Sequence, residues 1–525
     1  MNLPSRRSRR DRTGLRTAAL ATALAVGVSG CSAGSTAVQV GRVAGANDIV
    51  VAASASPVSL DFTTNSGAAI PGALMSNVYE TLVRIDDEGQ IVPWLATSWE
   101  VSEDGRRYTF TLRDDVTFSN GDAFTAETVK FSIDRVRSEA WSNGLKKKMD
   151  IVESVEVLSP TEVSVQLAAS SNQWLWDMAT LVGAMMTPSA MDTLASAPVG
   201  TGPYEVENFA IGHSISFRAR DDYWGPAPQN QGAAIRYFAD AVAAMNALRS
   251  GDVDVVYSMQ SPELLHTFDP ARYTVEVGTT NGEVLLSMNN NRAPFDDVRV
   301  RQAVMYGIDR QAVIDTAWDG HGIDTGGAPV PPTDPWYEAS TRYPFDPERA
   351  RQLLAEAGID ESNNHVVFSV PSLPYAVAAS EIVVSQLRDI GLDVSIRSTE
   401  FPAVWLNEVL KQQDYDMSLV MHIEPRDIPQ LFGNPEYYLG FDSPEVRALL
   451  EKADRGTAQE QVRYMKEAVD QIMAEAGADT LFNFPNIVVT DRAVSGVRAD
   501  QITEGLELAT MHRDPDYGKS GKERS

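Results

Sequence analysis

The spacing of apolar residues changes along this chain, and that change limits the folds that the chain can adopt. In the first third, apolar and polar residues alternate, as in residues 108–112, and turn-forming residues separate the alternating runs; this spacing is typical of strands joined by turns. Further along, strand-like runs alternate with helical ones, as where 366–370 precedes a helix that Gly391 ends. Repeated strand–helix units predict parallel sheets covered by helices. We therefore expect an α/β protein with a strand-rich region near residues 78–199.

Turn and capping residues predict where several of these elements begin and end. The tetrapeptide 159–162, Ser-Pro-Thr-Glu, separates two alternating runs and predicts a hairpin. The pair at 346–347, Asp-Pro, predicts the start of a helix that ends near Gly358. In the same way, Gly251 predicts the end of a helix over 241–249.

The length and charge of the chain exclude several classes of protein. A chain of 525 residues is too long for one compact core and predicts roughly two to four domains. Its 72 Asp and Glu residues outnumber its 44 Lys and Arg residues, for a net charge of −28. Nucleic-acid binders need clustered cations that displace counterions, and electrostatic attraction to anionic membranes needs basic surface charge. We therefore expect no nucleic acid among its partners and no membrane contact through surface charge.

The one cysteine, Cys31, follows a stretch with the three parts of a secretion leader. Basic residues lie within 6–16, an apolar stretch over 18–28 is too short to span a bilayer comfortably, and small residues precede the cysteine. The run resembles the bacterial lipoprotein box, which predicts a signal peptide over 1–30, lipidation of Cys31 and a flexible tether over 31–46. An ordinary secretory signal with an incidental cysteine is the alternative. Lipidation predicts a protein anchored in the cell membrane on its extracytoplasmic face.

The sequence lacks the common motifs of catalysis and of cofactor binding. The six histidines include no pair at metal-ligand spacing and no H-E-x-x-H, and there is no G-x-S-x-G. Residues 518–520, Gly-Lys-Ser, resemble the end of a phosphate loop, but Arg513 occupies the position of its first glycine. We therefore expect neither an enzyme nor a metal or cofactor site. An extracellular hydrolase that uses an unmarked pair of carboxylates is the alternative.

A series of collinear blocks gives the chain a family resemblance. It begins with Tyr79 to Val83 and Pro93 to Glu100, and it covers roughly residues 47–500. The further blocks are 108–113, 116–121, 124–129, 200–204, 223–224, 250–254, 294–304, 308–310, 353–358 and 415–417. In this order the blocks resemble the peptide/nickel-type solute-binding proteins of ABC importers, of the dipeptide- and oligopeptide-binding lipoprotein type.

The resemblance implies a two-lobed periplasmic-binding-protein fold, a hinged clamp with an extra strand-rich subdomain. The implied division is a first lobe over 47–77, 200–285 and 488–518, the subdomain over 78–199, a second lobe over 286–487 and a charged tail over 519–525. It also implies a receptor that captures a peptide or peptide-like solute and delivers it to an ABC permease with its ATPase subunits. We expect this receptor to be a monomer that contacts the permease directly.

The resemblance places the ligand between the lobes, where an extended peptide adds as a strand to exposed backbone. Two segments match the positions that supply this backbone: Ser54 to Val58, which includes Ser56 and Pro57, and Met421-His422-Ile423-Glu424. Peptide-binding members of the family carry a tryptophan in the second segment and then an Asp that pairs with the peptide ammonium. Here His422 occupies the tryptophan position, and the ammonium partner is either Glu424 or Asp427.

Two aromatic residues and the nature of the ligand stay open at this point. Trp405 matches a position where the family often places an aromatic lining residue. Phe484 precedes the predicted return strand 487–489 and is a second candidate lining residue, with packing in the core as the alternative for both. Because the ammonium segment departs from the family pattern, a nickel chelate, haem, an opine or an oligosaccharide is the alternative to a peptide. A receptor that passes ligand-dependent closure to a signalling partner is a further alternative.

Overall fold

The computed structural model describes residues 48–65, 67–87, 89–514 and 517. The signal peptide, Cys31 and the tether predicted for residues 1–46 lie outside the described residues, as does the charged tail predicted for 519–525. Within the described ranges, no helix combines the length and the apolar character that crossing a bilayer requires.

The helices and strands alternate more regularly after residue 280 than before it. The strands are β1 (Ile49–Ala53), β2 (Val83–Ile85), β3 (Ile91–Pro93), β4 (Ala96–Val101), β5 (Arg107–Leu112), β6 (Val152–Ser159), β7 (Glu162–Leu167), β8 (Tyr204–Ala210), β9 (Ser214–Ala219), β10 (Gly232–Tyr237), β11 (Val255–Val256), β12 (Tyr273–Gly278), β13 (Glu283–Met288), β14 (His365–Pro371), β15 (Asp393–Thr399), β16 (Met417–His422), β17 (Ala478–Asn483), β18 (Asn486–Asp491), β19 (Val494–Ser495) and β20 (His512–Arg513). The α-helices are α1 (Ala69–Leu74), α2 (Ala126–Arg137), α3 (Asn172–Asp177), α4 (Ala241–Ser250), α5 (Val298–Gly307), α6 (Arg310–Trp318), α7 (Pro347–Ala357), α8 (Pro374–Asp389), α9 (Ala403–Trp405), α10 (Ile428–Gly433), α11 (Pro444–Arg455) and α12 (Ala458–Ala474).

Capping residues set the bounds of these helices as the sequence predicts. The Asp346 side chain accepts a hydrogen bond from the Arg349 N–H at 2.9 Å and starts α7, which Gly358 ends with a φ of +79°. Gly251 ends α4 with the same φ of +79°, where a residue with a Cβ would be strained. Both predicted helix ends and the hairpin β6–β7 are confirmed.

The first lobe is built on a sheet with the strand order β12-β18-β11-β1-β10-β9-β8. Strand β1 lies near its centre and is parallel to both β10 and β11, whereas the other pairs are antiparallel. Ile49 and Val51 pack into the apolar core shared with the strand-rich subdomain, and Val50 and Ala52 pack into the core on the opposite face. Burial on both faces accounts for the continuous apolar run of this strand.

The second lobe is built on a sheet with the strand order β15-β14-β16-β13-β17. Strand β14 is parallel to β15 and β16, but β13 is antiparallel to both β16 and β17. Both lobe sheets are therefore mixed, and the prediction of parallel sheets is wrong for their antiparallel pairs, among them β13 with β16 and β17. The physical reason is that the chain enters the second lobe along β13 and leaves it along the adjacent β17, so these strands run in opposite directions.

The strand-rich subdomain contains an antiparallel sheet with the strand order β4-β5-β7-β6, against which α2 packs. The predicted two-lobed α/β fold with a strand-rich subdomain is the fold of the structure. The residue boundaries predicted for the lobes stay predictions, and the lobes are defined here by their sheets.

A buried ion pair holds the core of the second lobe. Arg310, the first residue of α6, donates from Nε to the Asp479 Oδ1 at 2.8 Å, and both side chains are almost inaccessible to solvent. The same guanidinium donates to the carbonyl oxygens of Tyr343 and Met305. Gly327, with a φ of +88°, lets the backbone approach, because a Cβ there would lie 2.7 Å from the Asp479 Oδ1. The pair therefore ties α6, β17 and the intervening loop together.

We expect Arg310→Met to lower the free energy of unfolding by about 3–5 kcal/mol, because it leaves the Asp479 carboxylate buried without its cation. Urea unfolding followed by circular dichroism measures the change. The matched control is Arg455→Met, which removes an exposed ion pair to Glu451 within one helix and should change the free energy by less than about 1 kcal/mol. Equal effects of the two substitutions would contradict this account of the buried pair.

Candidate functional site

The first lobe has a topological switch point at the end of β1. The chain leaves β1, forms β10 on one side of it, and then passes through α4 to β11 on the other side. In α/β sheets, ligands bind in the crevice outside the carboxyl ends of parallel strands at such a point. The residues that follow β1, 54–58, lie at this crevice.

The second lobe has a corresponding switch point at β14. Its parallel neighbours β15 and β16 lie on opposite sides, and pairing of β14 with β16 ends at Ser369 and Ser418. Beyond Ser418 the β14 side of β16 has no neighbouring strand among the described residues. There the Met421 N–H donates instead to the Tyr375 hydroxyl at 2.9 Å. Backbone groups at the end of β16 are therefore left beside the crevice.

The two lobes are in contact where α3 of the subdomain meets the end of α11. Asp454 Oδ1 accepts hydrogen bonds from the Ser171 hydroxyl at 2.8 Å and from the Gln173 N–H at 2.9 Å. The Asn172 side chain donates to the carbonyl oxygens of Ala453 at 2.9 Å and of Gly456 at 2.8 Å. These contacts join the subdomain to the second lobe across the cleft.

A second contact across the cleft is made by Arg426, in the segment after β16. Its guanidinium carbon lies 3.3 Å from the ring centre of Trp176 in the subdomain and 4.8 Å from that of Trp336 in its own lobe. Its Nε lies 3.8 Å from Asp334 Oδ1. Burial lowers the pKa of Arg426 to about 10, so the group stays charged at neutral pH and can interact with both indole faces.

Charged residues of the subdomain and of the first lobe face the segment that follows β16. Lys148 Nζ lies 3.1 Å from Asp177 Oδ1, and Glu504 accepts a hydrogen bond from the Leu181 N–H at 2.9 Å. Burial raises the pKa of Asp177, although Lys148 opposes the shift. Glu424 of the second lobe is exposed and interacts electrostatically with Lys148 and Glu504.

Three carboxyl groups line the second-lobe side of the cleft: Glu283 and Asp334, which are buried, and Asp427, which is partly buried. Glu283 is 2% exposed, and neither of its carboxyl oxygens has a hydrogen-bond partner among the described residues. Burial, followed by repulsion from Asp427 and Asp334, holds the pKa of Glu283 well above its usual range. Burial also raises the pKa of Asp427, with repulsion from Glu424 adding to the shift, and that of Asp334 to about 7.

His422 lies beside these acids as a neutral base. Its Nε2 lies 2.8 Å from the Tyr438 hydroxyl oxygen, and the two rings are stacked. Its Nδ1 lies 3.8 Å from Asp427 Oδ2. Burial lowers the pKa of His422 to about 4. The imidazole therefore supplies hydrogen-bonding groups and no charge to this wall at neutral pH.

Comparison with known proteins identifies the kind of site that this cleft forms. Residues 90–440, more than half of the chain, match the family model described as "Bacterial extracellular solute-binding proteins, family 5 Middle". The chain belongs to this family. Its members are substrate-binding receptors, and the chain is a solute-binding protein of an ABC importer, as the resemblance predicted.

Relatives in this family bind different solutes. The chain is 30% identical over 415 residues to the nickel-binding periplasmic protein of Escherichia coli K12, covering 72% of this chain and 77% of that protein. It is 26% identical over 362 residues to the glutathione-binding protein GsiB of the same strain, covering 68% and 70% of the two chains. The structure of DppA from Helicobacter pylori with the peptide STSA is similar with a TM-score of 0.75 at 23% identity, covering 89% of this chain and 98% of that one.

The second segment predicted from the sequence lies at the contact between the lobes. This segment contains the predicted residues Met421, His422, Ile423, Glu424 and Asp427, and the Ile423 side chain is 45% exposed. The first segment lies at the other switch point, where the Ser56 hydroxyl accepts from the Gly212 N–H at 3.1 Å and Pro57 is buried. No described contact joins Ser56 or Pro57 to the second segment.

The two predicted aromatic residues are buried in cores beside the cleft. Trp405 is 3% exposed, and its indole N–H donates to the Ser418 hydroxyl at 3.0 Å. Phe484 is 5% exposed and packs against Trp318 and Tyr375. The Tyr375 hydroxyl accepts the hydrogen bond from the Met421 N–H. In this structure Trp405 supports β16 from within the core, and Phe484 supports the same strand through Tyr375.

Sequence reasoning missed Glu283, Asp334, Arg426, Trp176 and Asp454. A signal for the first of these was present, since an acid begins the otherwise apolar run of β13, and a buried acid needs a partner. The other four are defined by contacts between residues far apart in the sequence, such as Arg426 with Trp176 and with Asp334, which no local pattern reports.

We expect His422 to make stability depend on pH between about 4 and 6.5. Because its pKa is lowered to about 4 in the folded protein, the unfolded chain binds a proton in this window that the folded chain does not. His422 therefore adds up to about 3 kcal/mol to stability as pH rises through this window, whereas Asp334, whose pKa burial raises to about 7, contributes in the opposite direction. His422→Gln should make the slope of stability against pH less positive. Urea unfolding at several pH values measures it, with His365→Gln, at an exposed site, as the control. A slope that His422→Gln leaves unchanged would show that another group is responsible.

Proposed function

We propose that the solute is a peptide or a peptide-like molecule, captured between the lobes and handed to an ABC permease with its ATPase subunits. The observation that carries this proposal is the end of β16, where pairing with β14 stops at Ser418. A peptide in extended conformation can add there as a strand, with main-chain hydrogen bonds that require little of its sequence. The switch point after β1, with Ser56 and Pro57, supplies the opposite wall.

Asp427 is the stronger of the two predicted partners for a peptide ammonium. Its side chain is 12% exposed and lies beside His422, whereas Glu424 is exposed. An ion pair gains more in a buried position than in water, because water screens the attraction less there. Asp427 therefore pairs with the ammonium, and Glu424 acts on it from the rim of the cleft.

A nickel chelate is the second candidate for the solute. The specific observation in its favour is the 30% identity to the nickel-binding protein of Escherichia coli K12. In that case the metal is cargo, and the same cleft would enclose the chelate.

The proposal includes the location and the state of the protein. Lipidation at Cys31 anchors it to the cell membrane on the extracytoplasmic face, which keeps the receptor near its permease. It acts as a monomer in direct contact with the permease, without catalysis, without a cofactor and without nucleic acid. The acidic balance of the chain supports the last of these points.

Peptide capture should raise the thermal unfolding midpoint of the protein, because a ligand that binds only the folded state stabilises it. A pool of di- to octapeptides is the probe, and nickel–histidine complexes form the second arm. A shift with nickel–histidine and none with any peptide would contradict peptide capture and favour the second candidate.

Closure should be measurable in the same samples, because a hinged receptor becomes more compact on binding. Small-angle scattering should show a smaller radius of gyration with a saturating peptide. Asp454→Ala removes two hydrogen bonds across the cleft and should weaken binding about tenfold. Asp442→Ala is the control, since Asp442 pairs with Arg447 within the second lobe. An unchanged radius with a bound peptide would refute the clamp mechanism.

A further inference from the structure

Glu283 is a buried acid that the fold leaves without a partner. Both carboxyl oxygens are inaccessible and lack hydrogen bonds among the described residues. An unpaired buried polar group costs free energy that an apolar residue at the same place would not. Such a residue in an otherwise apolar strand therefore indicates a partner that comes from outside the chain.

Another buried acid of this chain shows how the fold treats a structural carboxylate. Glu80, just before β2, is 4% exposed, and its two oxygens accept four hydrogen bonds of 2.7–3.0 Å. The donors are the side chains of Trp94, Thr201, Tyr223 and Trp224. Glu80 is thus satisfied by its own fold, and Glu283 is not.

The position of Glu283 is at the base of the cleft. It is the first residue of β13, directly after the chain has crossed from the first lobe, and it lies opposite His422 on β16 and opposite Asn483 on β17. Asn483 is the last residue of β17, from which the chain returns to the first lobe. The pair Glu283 and Asn483 therefore lies where both crossovers meet the second lobe.

The polar groups around Glu283 are mostly acceptors. Asn483 Oδ1 and Asp334 Oδ2 are also buried without hydrogen-bond partners among the described residues. Asp427 and Asp334 both repel the Glu283 carboxylate. The cation of this wall, Arg426, is held between two indole rings and lies nearer to Asp334. Arg426 Nε is itself buried without a hydrogen-bond partner, 3.8 Å from Asp334 Oδ1, and it does not reach Glu283. Glu283 therefore still lacks a donor, which an ammonium with three N–H groups or a guanidinium with five supplies.

We propose that Glu283, with Asn483 and Asp334 beside it, forms an anionic subsite that takes a cationic group of the captured solute, an ammonium or a guanidinium. This inference rests on the proposed capture in the cleft and adds to it the chemical class of the solute. It differs from the ammonium contact at Asp427 in its position, because Glu283 lies at the crossover and not in the segment after β16.

Two pairs of tripeptides test the subsite by isothermal titration calorimetry. The first pair is Ala-Arg-Ala and Ala-citrulline-Ala, which differ only in the charge of one side chain, and the second is Ala-Ala-Ala and its N-acetylated form. In the wild-type protein, the cationic member of at least one pair should bind about tenfold more tightly or better. Glu283→Gln should reduce that ratio to less than about threefold.

Glu80→Gln is the matched control, since it neutralises a buried acid whose two oxygens the fold itself satisfies with four hydrogen bonds. It should keep the wild-type ratio but lower the thermal midpoint, because it disturbs four hydrogen bonds. Glu283→Gln should not lower the midpoint, because the carboxylate that it replaces has no partner to lose. A folded Glu283→Gln protein that keeps the wild-type ratio would overturn the inference, as would the absence of any preference for the cationic member.

Failure of the inference and failure of peptide capture give different results. If Asp427→Asn loses the ammonium preference and Glu283→Gln keeps the preference in both pairs, peptides are captured but the subsite at Glu283 is refuted. If neither the tripeptides nor the pool of di- to octapeptides binds, peptide capture is refuted, and agmatine and putrescine then decide the inference. A thermal shift with these cations that Glu283→Gln removes supports the anionic subsite, and no shift overturns it.

Discussion

The chain crosses between the lobes along neighbouring strands, and this double crossing determines most of the remaining structure. Strand β12 leads into β13 and β17 leads back into β18, so the ends of both crossovers are adjacent. Hydrogen bonds tie the crossovers to each other: the Asn483 amide donates to the carbonyl oxygens of Thr280 and Gly282, and the Thr280 hydroxyl donates to that of Phe484. The lobes can therefore rotate about this joint while each keeps its own sheet. The same crossing reverses β13 against its neighbours and places Glu283 at the joint.

The contacts on the far side of the cleft are polar and individually weak. Asp454 accepts two hydrogen bonds there, and Arg426 stacks on Trp176. Each such interaction contributes on the order of 1 kcal/mol to stability in water. Open and closed arrangements can then lie within a few kcal/mol of each other, and a ligand shifts the balance only by the difference in its affinity for the two. A cleft wall that needs a cation is one source of that difference.

Local patterns in the sequence predicted the elements but not how they pair. Asp346 and Gly358 bound α7 because a cap and a left-handed residue act within one turn of chain. The direction of β13 depends on where the chain crosses between lobes, which repeated strand–helix units do not report. The segment 421–427 was found through family resemblance. Asp427 was among the residues predicted there, but Arg426 became interpretable only once the structure placed it against Trp176.

Three buried acids of the described chain differ in whether and how the protein compensates their carboxyl groups. Asp479 has the Arg310 guanidinium, Glu80 has four neutral donors, and Glu283 has repelling acids instead. The first two follow the rule that buried polar groups are paired. Departures from that rule concentrate at functional sites, where stability is given up for an interaction formed with the ligand. Asp479 lies in the core of the second lobe and Glu80 lies outside that lobe, whereas Glu283 lies where the chain crosses between the lobes. A ligand group that satisfies Glu283 there acts close to the hinge, and this couples recognition of its charge to closure of the cleft.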